Sequence, residues 1–598
     1  MRVVVEVDRK GVWFDRAAGA LAALWPAAFA AWHRLSVPDA AHDLAVLRAV
    51  GGGYTGLFRA LDSVLAWPFL LAPAGTLAQR AALAAAVATG VFGLLLFVLA
   101  RSVVRASMPE ATRLGPLLGL AATLVATLGT SVQFEGTVAG GSILGAVLAI
   151  APMVARVSGS NERARRVRTA FLLGLAASYE PGLGLLALLF VIVHALSLRP
   201  TKVPLREGVV LAVAALLGLA PLLLPLSRLR SLPALAASLP RLASPLGEPS
   251  LGHHAAVQAY FLAELGVVAI GFAVVGAVAL LRARASRPVG LALALSTAVG
   301  VGLVALGSPA GPTRHGSATL ATVGLASVLA GTGMLALARF VQNTRVPFAG
   351  ASATMILLLE LAIPARGADD ASLALAARRT NADASVRWAS FTFGGLPADA
   401  VVLVGDPALF HRALALRSLG VWRPDLLLVP LFDVGGPAAG PALVKEPRLG
   451  ALYRDMALDG APEEYSLSQL SAVRPVVGAF DVHWDRRLAR HFVSVGLFDR
   501  YSIEPRGPSD RRMANDEHAV DLAERSREVA NDPELRQVTA TMLRARAVAA
   551  RALGEREWIV RTTEDLRVVS PRDDVAARLV RSAVAGKGAG GLVTAARP

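Results

Sequence analysis

Over its first 363 positions the chain alternates long apolar runs with short arginine-rich breaks, and beyond them the pattern changes period. Apolar runs near the length needed to cross a bilayer as a helix fall at about 17–32, 81–100, 114–132, 137–157, 209–226, 259–281, 288–306, 318–340 and 347–363. The segment 169–197 is equally apolar but carries "SYEPG" at its middle, where Pro181 and Gly182 break a helix. Its flanks, "NERARRVR" and "SLRPTK", are both basic. It therefore reads as two short helices that meet near the far side of the membrane.

Counting that pair as two predicts about eleven crossings. Residues 1–16 form a cytoplasmic tail, too charged for a cleavable signal. The membrane domain spans 17–363, and its regions 33–80, 133–136, 227–257 and 307–317 all fall on the external face. Beyond it, "LPADAVVLVGDPALFHRALALRSLGVWRPDLLLVP" reads as strand, helix, strand, so 364–515 is expected to be a small external α/β domain. Residues 516–598 turn helical and repeat-like, with a loose tail. The fold class is thus a polytopic α-helical membrane protein followed by a soluble α/β and α-helical C-terminal region.

Composition agrees. The 598 residues are 54% hydrophobic and 17% charged, with mean hydropathy +0.54, where a soluble domain carries nearer a quarter charged residues. The net charge of +16 sits in loops between apolar segments, at Arg101, Arg105 and Arg113, at Arg163, Arg165, Arg166 and Arg168, and at Arg282 and Arg284. That distribution marks cytoplasmic loops. A nucleic-acid footprint would concentrate on one soluble face, so nucleic acid is not an expected partner. With no cysteine in the chain, disulfides, thiol catalysis and thiolate metal sites are excluded.

Candidate chemistry lies mainly in the external regions. The first loop places Asp39, His42 and Asp43 within five positions, followed by three glycines and Tyr54. Glu135 occupies the very short 133–136 turn, and Tyr179 and Glu180 sit at the helix break. A carboxylate at membrane depth is costly and points to function or to a polar partner. In an exposed turn it is merely solvated. Arg228, Arg230, Arg314 and His315 offer cations to a phosphate on the same face. Equally, they could flank helix ends and meet lipid headgroups. His253 and His254 are adjacent, but no third ligand stands at metal spacing, so no metal site is expected. Gly405 and Asp406 follow an apolar strand as in nucleotide-binding units, yet neither G-x-G-x-x-G nor a Walker lysine accompanies them.

In their order, several of these stretches resemble the bacterial protein O-mannosyltransferase-like family, long catalogued as a domain of unknown function. "DAAH" at 39–42 stands where that family has an acidic motif, and "GGGYTGLF" at 51–58 where it has a Gly-Tyr motif. "LAWPFLLAPAGTLAQRAALAAAVA" resembles its Leu-Pro and Arg stretch, "VQFEG" its Glu-Val-Tyr region, and "FLLGLAASYEP" its broken helix. "LPADAVVLVGDP…GVWRPDLLLVP" is similar to the unit that follows its last helix. The resemblance covers about 15–430 and departs in the first loop. There His42 replaces the motif glutamate, the His-Pro-Pro is absent, and Tyr54 precedes threonine rather than proline.

The resemblance implies a GT-C type membrane glycosyltransferase in a bacterial inner membrane. Such an enzyme takes a mannose-like sugar from a polyprenyl-phosphate donor and passes it to a protein or envelope glycan on the external face. It places the catalytic base at Asp39, with Asp43 as backup and Glu135 as a further carboxylate. The shared external side makes Arg228, Arg230, Arg314 and His315, with His42, Tyr54 and Glu180, the candidates to bind substrate. No cofactor is implied beyond the lipid-linked sugar as substrate, and a divalent cation is compatible. The alternatives are a non-catalytic scaffold of an envelope-assembly system and, further off, a transporter.

Overall fold

The computed structural model describes residues 9–37, 46, 59–73, 75–107, 114–158, 161–198, 204–223, 251–306, 316–343, 349–418, 422–434, 439–481, 483–514, 516–517, 533–571, 573 and 577–578. They divide into two compact units, one carrying the apolar helices up to Arg378 and the other beginning at Arg379.

In the first unit the helices are α1 (Arg9–Trp32), α2 (Ala60–Ala66), α3 (Leu77–Ser107), α4 (Leu114–Thr127), α5 (Thr130–Gly136), α6 (Ile143–Val157), α7 (Glu162–Tyr179) and α8 (Pro181–Ser197). There follow α9 (Leu205–Gly218), α10 (Leu251–Arg282), α11 (Arg287–Leu306), α12 (Ser317–Gln342) and α13 (Ala349–Gly394), whose residues from Arg379 on belong to the second unit. Each apolar run read from the sequence falls largely on helix among the described residues, although 114–132 crosses the break between α4 and α5 and 137–157 is helical only from Ile143. Among the described residues, five helices are long and apolar enough to span a membrane on their own, and up to six if a bent pair is one span. The remaining apolar segments are shorter or interrupted helices, so the eleven crossings expected from hydropathy are not eleven uniform spans.

Two local outcomes shape the candidate site. At Glu180 the chain is extended (φ −157°, ψ 117°) and Pro181 opens the next helix, so α7 and α8 meet where the sequence places the break. The region 133–136, expected to be an open external turn, is instead the end of α5, which is bent 70° from α4. Gln133 secures that bend by donating Nε2–H to the Thr127 carbonyl at 2.6 Å. The core is built around α12, most of whose residues are buried. Phe92, Leu96, Ile150, Leu186 and Phe190 are among the apolar side chains in the same buried cluster. At the other end of the bundle, Asp15 of α1 pairs with Arg101 and, at 4.0 Å, with Arg105 of α3.

The second unit is an α/β fold. Strands β1 (Val401–Val404), β2 (Leu427–Pro430), β3 (Val476–Gly478), β4 (Phe492–Val495) and β5 (Phe498–Tyr501) form one sheet in the order β2-β1-β3-β5-β4. The first three strands are parallel and β5 joins β3 antiparallel. All four residues of β1 are apolar because both faces of the sheet are covered. Val402 and Val404 pack with Trp388, Phe393 and Leu409, while Val401 and Leu403 pack with Leu449, Leu452 and Leu467.

The Arg-Pro-Asp stretch has a structural task in this unit. Arg423 donates to the carbonyl of Leu396, to that of Gly394 at 3.1 Å and to Asp425 at 2.6 Å, tying the end of α13 to the strand that follows. The helices Pro533–Ala552 and Arg556–Val569 pack on each other. Arg546 of the first is buried and donates to the carbonyl of Phe498 at 2.9 Å, with Asp499 at 3.4 Å.

Candidate functional site

One cluster of buried polar residues in the first unit gathers around the short helix α2, in the loop that joins α1 to α3. The chain enters it through Arg59 at φ 67°, a left-handed conformation that side chains other than glycine rarely adopt. This turn sends the Arg59 guanidinium back over its own helix. Its Nε donates to the Tyr179 hydroxyl at 3.0 Å, and Nη2 donates to Ser142 Oγ at 3.1 Å. It also lies 3.6 Å from Asp62, three positions on, and over the Tyr179 ring at 5.2 Å. The Tyr179 hydroxyl in turn donates to the Asp62 carboxylate, at 2.9 Å from Oδ1 and 3.0 Å from Oδ2. Asp62 and Tyr179 are 4% and 1% exposed, whereas the Arg59 side chain keeps 27% of its surface.

A second layer fixes this triad. Glu135, buried at the end of α5, accepts from the Ser142 backbone N–H at 2.7 Å, and Ser142 holds Arg59. Gly141 permits the tight turn between them. A Cβ there would stand 1.8 Å from the Glu135 carbonyl oxygen, a backbone atom with nowhere to go. Asp62 lines a narrow cleft with Leu65, Ala88, Gly140, Gly141 and Leu144.

The electrostatics follow from burial. Desolvation pushes the Asp62 carboxyl up to about 7, against the opposing pull of the Arg59 charge and the Tyr179 hydrogen bond. Glu135 and Glu180 add to the upward push. Burial also disfavours the Arg59 cation, but nearby negative charge favours it. Its pKa is raised because Tyr179, Asp62 and Glu180 together outweigh the cost of burying the cation. The cluster is therefore a carboxyl poised near neutrality beside a fixed, part-exposed guanidinium. That pairing suits proton uptake next to an anionic leaving group.

Of the residues singled out from the sequence, the fold brings Glu135, Tyr179 and Glu180 to this cluster. Glu135 does so as a buried hydrogen-bond acceptor rather than as a carboxylate in an open turn. Glu180 lies beside Tyr179 and acts on Asp62 and Arg59 through its charge. Asp39, His42, Asp43, Tyr54, Arg228, Arg230, Arg314 and His315 lie outside the described residues.

Sequence reasoning missed Arg59, Asp62 and Ser142. Asp62 carried a usable signal, since it shares the buried face of α2 with Ala66, four positions on. It also missed Glu264, whose carboxylate accepts from the Ser131 N–H at 3.0 Å and from the Ser131 hydroxyl at 2.8 Å. A lone acid inside the apolar run 259–281 was the available sign.

No family model matches the chain, and no curated protein matches it either. Among solved structures it is similar to ArnT from Cupriavidus metallidurans bound to undecaprenyl phosphate. The TM-score is 0.52 at 13% identity, over 83% of this chain and 98% of that one. It is also similar to the apo state of that protein, with a TM-score of 0.49 at 14% identity and the same coverage. The first likeness shows the fold: the chain shares the helical architecture of that solved protein, with apolar helices long enough to span a membrane.

Proposed function

We propose that this chain is a membrane glycosyltransferase that takes a sugar from a polyprenyl-phosphate donor and passes it to a hydroxyl acceptor, with Asp62 as the base. The observation that carries the reading is the buried Arg59–Asp62–Tyr179 cluster in the loop after the first helix, with Asp62 lining a cleft. The fold supports it, and the solved structure it resembles holds undecaprenyl phosphate. In the proposed step the acceptor oxygen attacks the anomeric carbon and its proton passes to the Asp62 carboxylate. The bond from that carbon to the phosphate oxygen breaks, and the polyprenyl phosphate leaves with the electron pair beside Arg59. The finer reading, from the family resemblance, is a mannose-like sugar, a protein or envelope-glycan acceptor, and the external face of a bacterial inner membrane. Asp39 is the rival base in the same loop, with Asp43 behind it, and Arg228, Arg230, Arg314 and His315 are further candidates for the phosphate.

Transfer from a radiolabelled polyprenyl-phosphate sugar, measured in membranes carrying Asp62→Asn or Asp39→Asn, tests this assignment. Loss in Asp62→Asn alone supports it, and full transfer in that variant sinks it. One observation favours a non-catalytic scaffold. Asp62 is already engaged by both Arg59 and Tyr179, as a purely structural carboxylate would be. That reading requires wild-type membranes to transfer nothing while Asp62→Asn lowers stability.

A further inference from the structure

Helix α5 carries the Glu135 that reaches the candidate site, yet it has only seven residues and is bent sharply from α4. So short a helix has little stability of its own. It is gripped at both ends by charges from distant parts of the chain. At its start, Glu264 of α10 accepts from both the backbone N–H and the hydroxyl of Ser131, and the Tyr260 hydroxyl donates to Ser131 Oγ at 2.6 Å. Near its end, Arg378 of α13 donates Nη1–H to the Phe134 carbonyl at 2.6 Å and lies over the Phe134 ring at 4.6 Å. Arg378 is 7% exposed.

The signs match the helix dipole, with an acid at the end where N–H groups are free and a cation where carbonyls are free. The fit at the acid is tight, because a Cβ on Gly129 would stand 2.4 Å from Glu264 Oε1. Two residues beyond Glu264, the α10 backbone breaks at Gly266 (φ 73°, ψ 157°). That break frees the segment bearing Glu264 from the straight path of a continuous helix.

We propose that Glu264 and Arg378 are positioning residues that clamp α5. By doing so they set the reach of Glu135 to Ser142, and of Ser142 to Arg59, at the candidate site. The inference rests on reading the Arg59–Asp62 cluster as the functional site. Neither residue touches that cluster, and neither is assigned a part in chemistry.

The absence of cysteine from the chain gives a direct test. A single cysteine replaces Ala139, 3% exposed in the turn after α5, and a control cysteine replaces Ala292, 0% exposed on α11. Labelling by N-ethylmaleimide is timed on the full chain in nanodiscs. Glu264→Ala and Arg378→Met are each expected to speed labelling at 139 by about tenfold or more, with position 292 unchanged, as local opening predicts. Glu264→Gln keeps one acceptor and is expected to restore most of the protection.

Unchanged labelling at 139 overturns the clamp. So does an equal rise at both positions, which means general unfolding, and so does a failure of Glu264→Gln to rescue. Labelling needs no sugar transfer, so a wild type that transfers nothing defeats the transferase reading and leaves this result standing. Where transfer is measured, the clamp variants are expected to lower kcat with the KM for the lipid donor unchanged.

Discussion

Tyr179→Phe removes one oxygen and keeps the ring, which isolates the hydroxyl that joins Arg59 to Asp62. That oxygen accepts from Arg59 at 3.0 Å and donates to Asp62 at 2.9 Å, in a side chain that is 1% exposed. Hydrogen bonds to charged groups contribute about 1.5–3 kcal/mol each. Because a single oxygen serves both partners the two do not add, and a loss of about 2–3 kcal/mol in stability is expected.

The same substitution moves a titration. Burial pushes Asp62 up to about 7, and the Tyr179 bond is one of the forces holding it down. Withdrawing about 1.5 kcal/mol from the carboxylate raises its pKa by about one further unit, since a unit is worth about 1.4 kcal/mol. An aspartate that titrates near 7 in the fold and near 3.9 in the unfolded chain binds more protons when folded. Its contribution is therefore full at acid pH and is lost as pH rises through the folded value. In Tyr179→Phe that loss extends to higher pH, and an acid limb of transfer that depends on the Asp62 carboxylate moves the same way. Thermal unfolding between about pH 5 and 9 reads the first effect and the pH–rate profile the second. A Tyr179→Phe protein with wild-type stability and an unmoved pH midpoint would refute the bonding described for Asp62.

Other outcomes follow from the same geometry. Asp62→Asn is expected to lower transfer by at least about 100-fold, the usual worth of a general base, and to flatten the dependence of thermal stability on pH between about 4 and 7; retained activity or an unchanged stability profile tells against it. Gly141→Ala drives a Cβ to 1.8 Å from the Glu135 carbonyl oxygen and is expected to cost about 3 kcal/mol or more, measured by thermal unfolding; a shift under about 0.5 kcal/mol shows that the turn is not tight. Arg423→Ala removes the tie between Leu396, Gly394 and Asp425 and is expected to lower the Tm of the α/β unit, followed by tryptophan fluorescence. The Arg423 hydrogen bond holds Asp425 down at about 2, so that stability is present above about pH 4 and is lost as pH falls toward 2. Arg423→Ala should weaken this acid dependence, leaving the part supplied by the Asp399 N–H, and an unchanged dependence would mean that Arg423 does not set it.

Much of the fold is legible in the sequence. A bilayer demands apolar length, so the runs from 17 to 363 announce helices whatever their neighbours. Proline and glycine at 181 and 182 announce the break at Glu180 because they act locally on the backbone. VVLV, ALFHRALALRS and LLVP likewise declare strand, helix and strand, as two short apolar runs around an amphipathic stretch, and all three form.

The candidate site was legible only in part. Glu135 and Glu180 were noticed as carboxylates in apolar surroundings, a property of a single position. That Glu135 holds a backbone N–H, and that Arg59, Asp62, Ser142 and Tyr179 are one network, depends on residues up to 120 positions apart along the chain. Aspartates 39, 43 and 62 look alike in the sequence, because solvation, not residue type, sets the pKa of a carboxyl. The membrane settled the helices one run at a time. Only the packing of α2 against the turn after α5 and the end of α7 decided that Asp62 is buried beside a guanidinium and poised near neutrality.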